Sequence, residues 1–149
     1  MENSKVIRHL DPRRWEGVSV LDYKEEGQHF QSITRQVLFD GETDFPCQVR
    51  YFEIDEGGHS TLERHQHVHV VMIIRGRGRV LLNDRVEEVK EFDLVTIPPQ
   101  NWHQFRATEG TPLGFLCLVN VERDRPVLPG EEDLEMLRAD PDIAGFIRF

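Results

Sequence analysis

Four histidines, His59, His65, His67 and His69, fall within eleven residues, and a fifth, His103, sits in a polar island between apolar stretches. Neutral imidazole is the commonest protein metal ligand, and several inward-facing imidazoles are costly to bury without a cation. Glu63 extends the pattern: Glu63, His65, His67 and His69 alternate, so on one straight strand all four face the same side. At about 3.3 Å per residue, Glu63 and His69 would then lie about 20 Å apart, too far for one ion with ligand bonds near ~2 Å. Either sequence neighbours alone bind, or the chain turns between His65 and His69. Gln66-His67-Val68 contains neither Gly nor Pro and does not decide between them. His9 and His29 stand alone and read as surface or satisfied residues.

The donor set limits the metal. No cysteine lies within the cluster, so a thiolate zinc site is not expected. Mixed nitrogen and oxygen ligands suit Mn(II), Fe(II), Ni(II) or Co(II), with Zn(II) held without thiolates also open. One ligand set is Glu63, His65, His69 and His103. Another is His65, His67 and His103, with Glu63 hydrogen-bonded behind the ligands. A metal-free cluster is the third reading. Of the two cysteines, Cys117 lies in the apolar run Leu113-Gly114-Phe115-Leu116-Cys117-Leu118-Val119. It is either a small core residue or a thiolate facing the metal, where a cation would lower its pKa. Cys47, near a strand start, has the weaker case. Arg35, Arg50, Arg75 and Lys24 are candidates to hold a phosphate or carboxylate. Trp102 and Gln104 flank His103 and are candidates to line a substrate cavity or to pack its mouth.

Such residues need a scaffold. The chain has 149 residues, enough for one domain, with 38% apolar and 30% charged residues. A net charge of −9 argues against nucleic acid or an anionic membrane as the main partner. No apolar run is long enough to span a bilayer, and the start of the chain has no apolar signal region. Two cysteines make no disulfide framework, so a reduced, cytoplasmic location is expected. From about Ile33 to Val121, segments rich in Val, Ile, Phe and Thr alternate with turn residues, the signature of a sandwich or barrel of short strands. Strands are predicted near Thr34–Phe39, Cys47–Ile54, Ser60–His65, His69–Arg75, Gly78–Leu82, Arg85–Val89, Asp93–Ile97, Trp102–Ala107 and Leu113–Asn120. Gly76-Arg77-Gly78 reads as a turn, Asn83-Asp84 as a tight hairpin, and Pro98-Pro99 as a strand end. Residues 1–30 form an N-terminal arm with a short strand around Val18 to Leu21. Residues 31–121 form the barrel. Residues 122–149 form an acidic C-terminal extension with one helix over Glu131 to Ala139.

The histidine region resembles the cupin family. The first cupin motif runs glycine, five residues, His-x-His, three or four residues, Glu, six residues, glycine. It is matched in spacing by Gly57, Glu63-Arg64-His65, His69 and Gly76. The second motif is matched at Pro98 and His103, with Phe92, Gln100 and Ala107 where the family has two glycines and an asparagine. The resemblance implies an all-β fold, a single small double-stranded β-helix of jelly-roll type. It implies Glu63, His65, His69 and His103 as the metal ligands, although Glu63 stands where His is usual and His69 where Glu is usual. It also implies a turn between the second and third ligands, which would remove the distance problem. His67 then becomes a spare histidine supporting the ligands. Small cupins are often dimers, so a homodimer is expected.

A wider set of segments resembles one small bacterial cupin group, the methylthioxylulose 5-phosphate methylsulfurylases. These are Ser60 to His69, Trp102 to Arg106, Pro112 to Cys117, Thr34 to Phe39, Arg50 to Glu53 and Glu122 to Pro126. That resemblance implies a manganese-dependent sulfur-salvage enzyme that uses glutathione or another thiol to remove the methylthio group of 1-methylthioxylulose 5-phosphate. Cys117 would be the nucleophile, and Arg35 or Arg50 would hold the phosphate. Two other functions stay open: a cupin dioxygenase or isomerase, and a cupin that binds a small molecule without turning it over.

Overall fold

The structure, a computed structural model, describes residues 4–10, 13–24, 27 and 29–149. Ten strands run in chain order: β1 His9–Leu10, β2 Arg14–Trp15, β3 Leu21–Asp22, β4 Gln31–Glu42, β5 Phe45–His59, β6 His69–Leu82, β7 Arg85–Lys90, β8 Leu94–Ile97, β9 His103–Ala107 and β10 Leu113–Asn120. Two short helices follow, α1 Glu131–Arg138 and α2 Pro141–Phe146. The main sheet closes on itself: β10 pairs with β6, β6 with β9, β9 with β5, and β5 returns to β10. Strands β7 and β8 add to β6, and β4 and β3 extend from β5. Closure removes the open edges that would otherwise invite pairing with another chain. The chain is a closed all-β barrel with a short helical end, as expected.

The long strand β6 holds the barrel together. Its first half pairs His69 with Ile97 and Val70 with Leu118. Its second half pairs Leu82 with Arg85 and with His103. The expected break at Gly76-Arg77-Gly78 is therefore a bend inside one strand. Gly76 takes φ +66°, and a Cβ there would run into the Pro112 carbonyl. The register of β10 shifts opposite, between Gly114 and Phe115. A bulge of this kind turns a strand from one sheet into the other. The hairpin at Asn83-Asp84 forms as expected, with Leu82 opposite Arg85 and Asn83 supplying the positive φ. The expected strand Ser60–His65 does not form. Only isolated bridges from Glu63 to His103 and from Arg64 to Val127 remain. Its alternation is a side effect of the ligand pattern, since Leu62 and Glu63 are both buried. The short strand expected near Val18 to Leu21 appears as β3, Leu21–Asp22.

The core divides in two. Inside the barrel, Phe52, Ile54, Val71, Ile73, Phe105, Phe115 and Cys117 pack together. Outside it, Leu62, Leu81 and Trp102 receive Leu137, Ile143 and Phe146 from the helices. Helix α1 starts on three acids, and Asp133 accepts from the Gly130 amide at 2.9 Å. Helix α2 is an addition to the single helix expected. Asp140 caps it by accepting from the amides of Asp142 and Ile143, and Pro141 fills its first turn. Six residues are too few to show a helical apolar period. On the opposite side, the β1–β2 ribbon lies on the sheet. Trp15 packs on Tyr51 at 4.6 Å, and Arg13 and Arg75 both reach Glu53, at 2.8 and 3.2 Å. Arg75, a sequence candidate for an anion site, is thus spent on a buried carboxylate.

The glycine positions of both cupin motifs share one backbone property. Gly57 and Gly76 have φ of +73° and +66°, and their counterparts Phe92 and Gln100 have +71° and +62°. The barrel keeps the left-handed turn where the glycine is gone. A side chain there costs about 1–2 kcal/mol. Phe92 is 79% exposed and contributes little packing in return. Phe92→Gly is expected to raise stability by about 1 kcal/mol, read as a higher urea midpoint at unchanged slope. An unchanged or lower midpoint would contradict this reading.

Candidate metal and thiol site

The segment between β5 and β6 leaves the sheet and turns back at residues 65–68, which brings His65 and His69 together. The turn is held locally. The Nδ1–H of His65 donates to the His67 carbonyl at 2.8 Å, and the Gln100 amide donates to the His65 carbonyl at 2.8 Å. His103 opens β9, and its Nδ1–H donates to the Asn101 carbonyl at 2.9 Å. A backbone acceptor on Nδ1 fixes the tautomer that leaves Nε2 with a free lone pair, the state in which imidazole binds a metal.

His65, His69 and His103 each offer one ring nitrogen, and these atoms all lie within 4.8 Å of one another. His65 is 1% exposed, and its Nε2 is buried without any hydrogen-bond partner. Burial and mutual repulsion hold the set neutral: His65 is pushed down to about 4, and His69 and His103 also fall. Neutral, fixed imidazoles around one orphaned nitrogen fit a divalent ion. The turn expected from the family is present, so the strand-length objection does not apply.

The fourth expected ligand, Glu63, bridges to His103 through the backbone and lines the same cavity as His69 and His103. The Glu63 carboxylate forms an ion pair with Lys24 Nζ at 2.5 Å. Lys24 comes from the segment after β3, so a residue of the N-terminal region meets the motif side chain inside the barrel. His67 stacks flat on His65, with centroids 3.6 Å apart, and its Nε2 lies 3.2 Å from the Nε2 of His69. Its Nδ1 bonds Asp124 at 2.8 Å, and the same carboxylate accepts from the amides of Gln66 and His67. Those bonds hold Asp124 far below the ordinary carboxylate range. Asp124 lies in the charged segment Glu122 to Pro126, and its role rests on contacts that the sequence does not show.

His69 and His103, together with His67 and Glu63, border a cavity of about 660 Å³. Its far side is built by register. Arg50 of β5 stands opposite Cys117 of β10, Cys117 opposite Val71 of β6, and Arg35 of β4 opposite Phe52. Residues two apart share a face, so Arg50 and Phe52, with their cross-strand partners, all point inward with His69. Cys117 is 2% exposed, and Arg50 Nη2 donates to its Sγ at 3.4 Å. Burial pushes the thiol up, against the pull of Arg50. Trp102 and Gln104 do not line the cavity. Trp102 packs under the helices with Arg64 on its face at 4.5 Å. Gln104 donates to the Ser60 and Arg148 carbonyls and accepts from the Arg148 amide. Strand alternation explains both: His103 points inward, so its two neighbours point outward.

Three histidines with depressed pKa values, two buried and one half-buried, also set the acid stability. Unfolded, each binds a proton near pH 6.5, whereas folded His65 does so only at about 4. The unfolded chain therefore holds more protons below pH 6.5. Folding stability should fall there by about 1.4 kcal/mol per pH unit for each histidine kept neutral. Urea unfolding at pH 7.0, 6.0 and 5.0 checks this, and a flat profile would contradict it.

The chain belongs to the cupin family. The cupin domain family matches residues 50–119. The chain is 58% identical over 135 residues to the 1-methylthio-D-xylulose 5-phosphate methylsulfurylase of Rhodospirillum rubrum, covering 90% of this chain and 86% of that protein. Two solved structures are also similar. A cupin 2 conserved barrel domain protein from Rhodopseudomonas palustris has TM-score 0.91 and 52% identity, over 97% of this chain and all of that one (100%). A cupin-2 domain protein from Rhodospirillum rubrum has TM-score 0.85 and 56% identity, over 91% of each chain. No helix among the described residues is long and apolar enough to cross a membrane.

Proposed function

We propose that this cupin removes the methylthio group of 1-methylthio-D-xylulose 5-phosphate, using a thiol as co-substrate and a divalent ion, Mn(II) in our reading, held by His65, His69 and His103. One observation carries the proposal: a buried cysteine beside an arginine opens into the same cavity as His69 and His103, two of the three grouped imidazoles. The activity for which the 58% identical relative is named supports it.

Bound at the trio, the ion would supply Lewis-acid stabilisation of oxyanion charge on the substrate ketone. The chain's own residues do the rest. Cys117, as thiolate, attacks the methylthio sulfur. The sulfur–sulfur bond forms as the carbon–sulfur bond breaks, and its electron pair stays on the sugar as an enolate. A proton then gives the 1-deoxy sugar. The methyl disulfide left on Cys117 is released by an entering thiol such as glutathione, in ordinary thiol–disulfide exchange. The apolar wall of Phe52, Phe105 and Phe115 keeps water from the carbanion. Glu63 and Lys24, paired beside the histidines, hold each other's charge and present it to the cavity.

The test is direct: purified protein, 1-methylthio-D-xylulose 5-phosphate and glutathione, followed by mass spectrometry. Formation of 1-deoxy-D-xylulose 5-phosphate is expected. An unchanged substrate pool with Mn(II) present would refute the assignment.

A further inference from the structure

Three arginines from three separate elements meet the cavity: Arg35 of β4, Arg50 of β5 and Arg123 from the segment after β10. Several other basic side chains find acids. Arg13 and Arg75 meet Glu53, Lys24 meets Glu63, and Arg64 approaches Asp133. Among the described residues, no carboxylate forms a salt bridge with Arg35, Arg50 or Arg123. Arg50 is only 9% exposed, and its Nε is buried without a partner, as is the Nε of Arg35. Arg123 is fixed from behind, donating from Nη1 to the carbonyls of Asn120 at 2.9 Å and Val121 at 3.4 Å. Burial and the nearness of Arg50 and Arg35 push its pKa down. Asp40, the acid that acts on it electrostatically, has the weakest influence and is bonded to Gln48.

A buried guanidinium left without a counter-ion, as at Arg50, is strongly unfavourable; Arg35 is half-buried and Arg123 exposed, and Cys117 as a resting thiol supplies no charge. Forked donors suit a multi-oxygen anion. We propose that Arg35, Arg50 and Arg123 form a subsite for a phosphate-type dianion, so that the cavity selects a phosphate monoester, with Arg123 fastening it from outside the sheet. The proposal rests on the reading of this cavity as the substrate site and adds Arg123 to it. A carboxylate, as on a thiol co-substrate, is the competing source of charge.

Titration calorimetry of the full-length protein as purified, with inorganic phosphate as the probe, tests this without turnover. Failure of the catalytic reading would leave phosphate binding intact, so the two fail separately. Saturable binding of one phosphate per chain is expected, weakened at least tenfold in Arg123→Gln and in Arg35→Gln, with acetate binding much more weakly. Circular dichroism of both variants should match the parent, and the conservative Arg123→Lys should recover part of the loss. Absence of saturable phosphate binding would overturn the proposal. So would affinity that no arginine variant changes, because the ion at the histidines would then be the phosphate ligand. Acetate or glutathione binding more tightly than phosphate, with the same arginine dependence, would assign the subsite to a carboxylate and overturn it as well.

Discussion

Cys117→Ala is expected to lower turnover of 1-methylthio-D-xylulose 5-phosphate by about a thousandfold or more, because removal of a nucleophile leaves only binding and electrostatic assistance. The substitution deletes a small sulfur from the barrel interior. It also deprives Arg50 Nη2 of its acceptor. The folded state should survive, since truncation of one atom costs about 1 kcal/mol or a little more. Metal content should not change, because the thiol is absent from the histidine grouping. A methyl disulfide on Cys117, seen as added mass on the intact protein when substrate is supplied without thiol, is the companion observation. Full activity in the alanine variant would remove the proposed nucleophile. Oxygen consumption insensitive to it would favour a dioxygenase.

Replacing one of the three grouped histidines should be nearly as damaging by a different route. His103→Ala removes a buried ring whose Nδ1 is tied to Asn101 and whose opposite nitrogen faces the trio. Loss of a ligand is expected to weaken Mn(II) binding by at least about a hundredfold, more than the 10–100-fold typical of partners that only orient a ligand. Activity should fall in parallel, with the substrate KM rising if the ion anchors the ketone. His67→Ala is the control. His67 is held by Asp124, lies with its Nε2 3.2 Å from that of His69, and is outside the histidine grouping, so its loss should cost roughly tenfold in metal affinity. A His67 variant as defective as the His103 variant would favour the alternative set of His65, His67 and His103.

The barrel was legible because its signals are local. Alternating apolar residues, the Asn83-Asp84 turn and Pro98-Pro99 each mark a boundary without reference to anything distant. The spacing of Gly57, His65, His69, Gly76 and His103 located the histidine group for the same reason. What escaped depends on contacts between remote parts of the chain. The motif spacing points to Glu63 as a ligand but says nothing of its ion-pair partner. That Lys24, 39 residues away, takes its carboxylate is a tertiary fact. Trp102 and Gln104 were proposed for the cavity from adjacency to His103, yet strand pleating turns neighbours to opposite faces. Arg123 and Asp124 sit in a charged run whose spacing assigns neither a role, and only the closure of the barrel brings them against Arg50 and His67. The Gly76 bend was read as a turn because a glycine at positive φ marks either a chain reversal or a bulge, and pairing partners alone separate the two.

Elemental analysis of the purified protein, beside His65→Ala, His69→Ala and His103→Ala variants, tests most directly whether these three rings form one metal centre. The arrangement predicts one divalent ion per chain, lost or strongly diminished in each variant while the barrel's circular dichroism is retained. An ion content unchanged in all three variants, or no bound ion after saturation with Mn(II), would contradict it.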